Sequence, residues 1–430
     1  MKRSLLLTLL LFPLLLRAQV YTEKKSQHRF AQTYVGINAQ YIPEGGSLVW
    51  QDHTQPFPSY TIPRFTIGGV HFWGKWDFNM NIPLTVLGSN LLEHGGYADF
   101  SSGADLSARY YPWALKFGKL RPFVGASFNT MQLDLGTSND FERTEGFITA
   151  SLVGGLSFMF ENWRINAEMM YLPFNKRGFY SSLTDKHSFE LPPYYFSLGI
   201  VHHFDFTLSE EKPKESGKTK AVEAELLKKG KLNSVSLGVA PNGSYFAAFN
   251  PLEGKYASLS KHKGSFNWEF GLGYLFHEAK VHVGLTYRNY SSKSLSYDYL
   301  HIIRREALSF EAYRFLWNFN GFVPYTGISI SGERWAAGIF ENDNQVGETV
   351  RTQMISPGFI FGWDILPSPL ETWVLRTNLR YYPMQEIQDI GNRKTRVDQF
   401  EFNFIQFVWY PNRWVHVRKA KKHYDQQHSL

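Results

Sequence analysis

The chain has 430 residues, no cysteine, and 45 Lys and Arg against 38 Asp and Glu, for a formal net charge of +7. Without thiols it can form no disulfide and take no lipid at a signal-peptide cysteine. The positive balance is concentrated in two stretches, 211–231 and 413–425, which reads as solvated segments of an exported chain and excludes nucleic acid as an expected partner.

The N-terminus, MKRSLLLTLLLFPLLLRAQ, has the parts of an export signal: Lys2 and Arg3, an apolar run from Leu5 to Leu16, and Ala18 as a small residue at the cleavage point. Pro13 interrupts the run, which is also short for a membrane span, so residues 1–19 are expected to be removed. Beyond them, 17% of the chain is aromatic, with 36 Phe, 24 Tyr, 12 Trp and 35 Gly, yet the mean hydropathy is −0.30. No later apolar run approaches the ~20 residues of a transmembrane helix. A polar average combined with many aromatics and glycines predicts an all-β fold, a transmembrane antiparallel barrel in which only one face of each strand meets lipid. A secreted β-sandwich is the competing reading.

Alternation carries the strand assignment, because residues two apart share a face. In WDFNMNI (76–82), Asp77, Asn79 and Asn81 share one face and Trp76, Phe78, Met80 and Ile82 the other. In ITASLVGGLSFMF (148–160) the apolar face carries Leu152, Leu156 and Phe158, opposite Thr149, Ser151 and Ser157. About eight such runs fall between 28 and 206, separated alternately by tight turns such as 74–76 and 161–163 and by longer polar loops such as 43–62 and 174–191. Short turns are expected on the periplasmic side and long loops outside.

A polar linker, 207–232, follows, with one short helix expected over Ala221–Lys229. About eight further runs lie between 233 and 411, among them WEFGLGYLF (268–276) with Glu269 facing away from Trp268, Phe270 and Leu272. This second part repeats phrases of the first. RPFVGASFN (121–129) returns as VPYTGISIS (323–331), and ARYYPW (108–113) as AYRFLWN (312–318). GLSFMF with NWRINAEMMYLP (155–173) returns as GFIFGW with TWVLRTNLRYYP (358–383), pairing Trp163 with Trp373 and Pro173 with Pro383. Ordered matches at a nearly constant offset predict a tandem duplication. In the repeated phrase the proline opens a strand after a turn, and Gly125 or Gly327 supplies room in a coiled wall. Two eight-stranded barrels, 28–206 and 233–411, are therefore expected, with a basic periplasmic tail at 412–430; one sixteen-stranded barrel is the alternative. The two differ in whether strand 192–206 pairs with 30–42 or with 233–249.

These phrases, with the aromatic closing strand YYFSLGIVHHFDF (194–206), resemble the small OmpA-like and OmpX-like outer-membrane barrels over nearly all of both halves. The resemblance implies a place, the outer membrane of a Gram-negative bacterium, more than an activity, since such barrels include adhesins, anchors, small channels and a few lipid-modifying enzymes. The fused duplication and the lack of a following peptidoglycan-binding domain depart from it.

The residues that would carry function are the lumen-facing charges: Asp77, Asp105, Arg109, Arg164 and Glu168 in the first half, and Glu269, Arg288, Arg376, Arg380 and Glu401 in the second. An eight-stranded barrel is just wide enough for side chains to fill, so these predict a paired plug; in a wider barrel Arg376 and Arg380 would favour anions. Trp113, Trp163, Trp373, Trp409 and Tyr410 are expected in interfacial girdles. A hydrolase reading has only Asp185, His187 and Ser188, where adjacent His and Ser point opposite ways on an extended segment. His202 and His203 likewise oppose each other, so no metal and no cofactor are expected. Loops 43–62, 250–265 and 341–348 are the natural binding surface. A non-enzymatic scaffold is the first expectation, with outer-membrane lipid, lipopolysaccharide and other envelope proteins as partners; a solute-conducting porin is second and a lipid-modifying hydrolase third.

Overall fold

The structure is a computed structural model, which describes residues 31–428 apart from 51–52, 89–95, 138–139, 181–185, 205–212, 247–255, 257, 260–261, 263, 297–298, 320, 368–369, 371 and 390–392. The export signal and Asp185 lie outside the described residues. Eight strands form the first ring: β1 (Ala31–Ile42), β2 (Tyr60–His71), β3 (Trp76–Pro83), β4 (Gly96–Tyr110), β5 (Leu120–Thr137), β6 (Asp140–Phe160), β7 (Trp163–Tyr171) and β8 (Tyr194–Phe204). Each pairs antiparallel with its sequence neighbour, and β8 then returns to β1, with Thr33 opposite Phe204 and Tyr41 opposite Phe196. The first barrel is closed.

A second ring repeats the plan with β9 (Ser234–Phe246), β10 (Gly264–Phe276), β11 (Val281–Ser296), β12 (Tyr299–Phe315), β13 (Phe322–Glu341), β14 (Asn344–Ile365), β15 (Trp373–Tyr382) and β16 (Gln399–Trp409). It closes between β9 and β16, from Leu237 opposite Trp409 to Phe246 opposite Gln399, across one irregularity between Val239 and Asn242. Strand 192–206 therefore pairs with 30–42, and the wall is two rings of eight rather than one of sixteen.

The faces are those of an inside-out protein. Leu152, Leu156, Trp268, Phe270, Leu272, Ile328 and Phe359 are exposed on the outer surface, whereas Asp77, Asn79, Asn81, Ser127, Ser151, Ser157, Glu269 and Ser329 are buried in the lumens. A soluble barrel would have the reverse pattern. The rings touch near their short-turn ends, where the His71 ring lies 5.2 Å from Phe322 and Phe78 lies 5.9 Å from Trp363.

Register explains the repeated phrase. Pro122 and Pro324 each open the strand after a turn, and three residues on a Cβ at Gly125 would run into the Ala108 carbonyl, one at Gly327 into the Ala312 carbonyl. Gly155 is pressed against the Ala167 carbonyl and the Phe123 ring, and Gly362 against the Thr377 carbonyl and the Tyr325 ring. The structural partner of Gly155 is thus Gly362, not the Gly358 that the phrase match chose. The next hairpin restores the match of Trp163 with Trp373, opposite Phe160 in the first barrel and following a connection of seven residues in the second (366–372) where the first has two (161–162). Spacing of residue types alone does not reveal a four-residue slide along one face, because both alignments keep the same parity.

Several loops differ from expectation. The segment 43–62 carries a hairpin, Gly45–Trp50 with His53–Phe57, and 174–191 carries another, Lys176–Tyr180 with Lys186–Glu190. The expected loop at 341–348 is a two-residue turn, Asn342 and Asp343, both at positive φ, which join β13 and β14 in the twist a tight hairpin requires. The linker helix is longer than expected, α1 (Pro213–Lys228), and the basic tail is a helix, α2 (Pro411–His428). The two helices pack through Val222, Leu226, Val417 and Ala420, a spacing of three and four that puts these side chains on facing stripes.

Candidate functional site

The inward parity of each strand brings all ten of the lumen charges to buried positions. In the first barrel, Asp77 accepts from Tyr34 Oη, from Arg164 Nη2 at 2.9 Å and from Arg109 Nη1 at 3.4 Å, while Arg109 Nη2 lies 2.7 Å from Glu168. The Arg164 guanidinium also covers the Tyr34 ring at 4.4 Å. Asp105 belongs to a second cluster, paired with Arg64 and accepting from Asn81 Nδ2 at 2.5 Å; Arg64 Nε donates to Asn38 at 2.7 Å. Three arginines thus meet three carboxylates in these clusters.

The second barrel is denser. Arg380 donates to Glu269 at 2.6 and 3.0 Å and to Glu311 at 2.6 and 3.1 Å. Arg288 lies 2.9 Å from Glu401, which also pairs with Arg305, and Arg305 reaches Glu333 at 2.6 Å. Tyr382 Oη accepts from Arg288 at 2.9 Å and lies 2.8 Å from Ser329 Oγ. Arg376 stands apart, held by Asp364 at 2.7 Å through both Nε and Nη2 and bonded to Tyr313. The arginines that would line an anion pore are each already bound to carboxylate.

Sequence reasoning missed Arg64, Arg305, Glu311, Glu333 and Asp364. Glu311 was legible, because it shares the parity of Ala307 and Ser309 opposite exposed Leu308 and Phe310. Arg305 and Asp364 lie just outside the runs that alternation suggests, 307–318 and 349–363, and Arg304 beside Arg305 hides which of the two turns inward.

Above the clusters, packed side chains cap both mouths. In the first barrel Phe57, Phe100, Phe147 and Phe189 pack together, Phe57 edge-on to Phe100 and tilted against Phe189 at 6.1 Å, with Phe147 tilted against Phe189 at 5.6 Å. These rings come from the two outer hairpins and the strand extensions, and Ser47 pairs with Glu190 to join the hairpins. In the second barrel a hairpin, Glu386–Asp389 with Arg393–Arg396, drops Ile387 onto Tyr290, Ile303 and Trp335, with Val397 beyond it.

A polar chain locks that second cap. Ser292 Oγ lies 2.8 Å from His262 Nδ1, His262 Nε2 lies 3.0 Å from His301 Nδ1, and His301 Nε2 lies 3.1 Å from Asp389 Oδ1. One neutral tautomer of each ring satisfies every link: the serine donates to His262, which donates to His301, which donates to the carboxylate. Exposed Lys293, Arg304 and Glu306 on the outer faces of β11 and β12 place the chain beyond the apolar belt. Burial depresses the His262 pKa to about 3; His301 adds to the fall and Asp389 opposes it. All four side chains are buried, so the chain is a clasp between wall and loops.

Elsewhere, His187 and Ser188 are consecutive residues of one extended strand. His202 meets Trp163 edge-on at 4.7 Å while His203 turns into the lumen 5.1 Å from Tyr34, so the two do not converge. Trp113, Trp163 and Trp409 are exposed at the rim and Trp373 is half-buried beside Phe407. Tyr410 departs from the girdle expectation: it is buried, with the Arg413 guanidinium over its ring at 4.9 Å and Arg376 bonded to its hydroxyl at 3.4 Å. Its position past the last strand turns it under the barrel instead of toward lipid.

No family model and no curated protein matches the chain. Solved structures do align with it. Neisserial surface protein A is 14% identical over 42% of this chain and 97% of its own, with a TM-score of 0.29. The outer membrane protein OprG from Pseudomonas aeruginosa is 10% identical over 41% and 96%, at 0.30. AlkL, an outer membrane protein solved in lipid bilayers, is 18% identical over 45% and 100%, also at 0.30.

Proposed function

We propose that the chain is an outer-membrane protein of a Gram-negative bacterium, exported by residues 1–19 and built of two barrels from a tandem duplication. Its barrels act as a scaffold that presents capped outer domes and a basic helical pair on the other side to lipid, lipopolysaccharide and other envelope proteins. Location is supported by the continuous exposed apolar belt and the polar lumens, an arrangement that only lipid rewards. Orientation is supported by the added hairpins of 45–57, 176–190 and 386–396 lying at one end and both helices and the linker at the other. Duplication is supported by the equivalent registers of Pro122 and Pro324, Gly125 and Gly327, and Gly155 and Gly362.

The observation that carries the scaffold reading is the filling of both lumens by self-paired buried charge beneath packed caps. A conduit needs a continuous wet path, and an enzyme needs a reactive group with access; Ser292 and Ser236, whose hydroxyls lie 2.8 and 2.7 Å from a histidine nitrogen, are both buried. The test is single-channel recording of the refolded protein in a planar bilayer. We expect no steady openings. Large, ion-selective openings that change with Arg376→Ala or Arg380→Ala would overturn the scaffold reading in favour of a channel.

A further inference from the structure

Helix α2 leaves the barrel at a particular place and with a particular surface. It begins at Pro411, directly after β16, and the Trp414 N–H donates to the Tyr410 carbonyl at 2.9 Å, so it is continuous with the barrel rim. It is also fixed in rotation. Arg413 stacks on Tyr410 and donates to the Leu232 carbonyl, its backbone N–H lies 3.2 Å from Ser234 Oγ, and Val417 and Ala420 bury against α1.

The opposite stripe is then determined by the 3.6-residue period: Val415, Arg418 and Lys422 at its centre, with Trp414 and Lys419 beside them, all exposed. The apolar members, Trp414 and Val415, occupy the first turn, nearest the rim where exposed Trp409 ends the apolar belt. The cations follow one and two turns on, and the Arg418 guanidinium lies 5.7 Å over the Trp414 ring. The helix carries five Lys and Arg against one carboxylate, Asp425, which is neutralised by Lys218 at 2.6 Å.

We propose that this face of α2 lies on the periplasmic leaflet of the membrane and binds anionic phospholipid. Trp414 and Val415 enter the headgroup boundary beside the barrel, and Arg418, Lys419 and Lys422 bind lipid phosphates. Aromatic and cationic residues together on one helical face match an interface that is apolar below and anionic above. The contact would hold α1 and α2 flat against the bilayer. The proposal rests on the reading of the two rings as membrane barrels with both chain ends on the short-turn side.

The absence of cysteine permits a clean test on the full-length protein. Val415→Cys carries a spin label, and its collisions with oxygen, which concentrates in lipid, are compared with those of a water-soluble nickel complex. Vesicles are made of phosphatidylethanolamine with or without phosphatidylglycerol. Val124→Cys, on the exposed belt, controls for insertion, and His428→Cys for the aqueous side. The expected result is an oxygen-dominated label at 415 when phosphatidylglycerol is present, a shift toward nickel without it, and loss of that lipid dependence in Arg418→Gln/Lys422→Gln. A nickel-accessible label at 415 in both vesicles, equal to that at 428, overturns the proposal while a lipid-facing label at 124 leaves the barrel reading intact. A label at 415 shielded from both reagents, or shielded only when peptidoglycan sacculi are added, also overturns it, in favour of a protein or glycan partner. A nickel-accessible label at 124 would instead sink the membrane reading itself.

Discussion

Arg380 places one buried guanidinium between two buried carboxylates, Glu269 and Glu311. Burying charges is costly, and the pairing offsets that cost only while both signs are present. Arg380→Met should therefore cost about 3–5 kcal/mol, the range for breaking a buried pair, measured as a lower midpoint of unfolding in denaturant from lipid micelles. Replacing Arg380, Glu269 and Glu311 together by apolar residues of similar size should recover much of that loss. His262 makes a prediction of opposite character. Its pKa is depressed to about 3 in the folded cap, against about 6.5 when exposed, so the unfolded loops bind a proton over a window in which the folded cap does not. The cap's stability is then fully present above about pH 6.5 and falls as pH drops from there toward 3. Proteolysis of the 247–263 and 383–398 loops should accelerate between pH 7.5 and pH 5, and His262→Gln should flatten that dependence.

Among the elements, strands were legible where one face is uniformly polar, as in Trp76–Pro83 and Gly264–Phe276, because lipid and lumen impose opposite chemistry on alternate residues. The outer hairpins were not. The strands 45–50, 53–57, 176–180 and 186–190 lie off the lipid-facing wall, and the described burial there is that of a small soluble core, with Leu48, Phe57 and Phe189 inside, so the lipid-out rule does not apply to them. The helix at 411–428 was hidden for a related reason. Its apolar residues are few, and its stability comes from packing on α1 and from the Arg413 anchor, neither of which is local in sequence. At the candidate site, the ten lumen charges were readable from parity, whereas their partners Arg305 and Asp364 required knowing how far each strand extends. The clasp of Ser292, His262, His301 and Asp389 was invisible because it joins three segments distant in sequence through two loops.

At the scale of the whole molecule, everything depends on where β8 finds its second neighbour. Pairing with β1 makes two narrow rings that side chains can fill; pairing with β9 would make one wide ring that the same charges could only line. Alternation is identical in both, so only register separates them. Ile37 and Ile200 are direct partners across the β1–β8 seam, both outside the filled lumen, and cross-strand partners of this kind come within the Cα separation a disulfide spans. The decisive measurement is oxidative cross-linking of Ile37→Cys/Ile200→Cys in the folded, membrane-inserted protein, read as a mobility shift reversed by reductant. The two-barrel account predicts efficient cross-linking of this pair and none between Ile200→Cys and a cysteine at Leu237 or Val239 in β9. The reverse, with Ile200→Cys joining β9 while the Ile37 pair stays reduced, would contradict it.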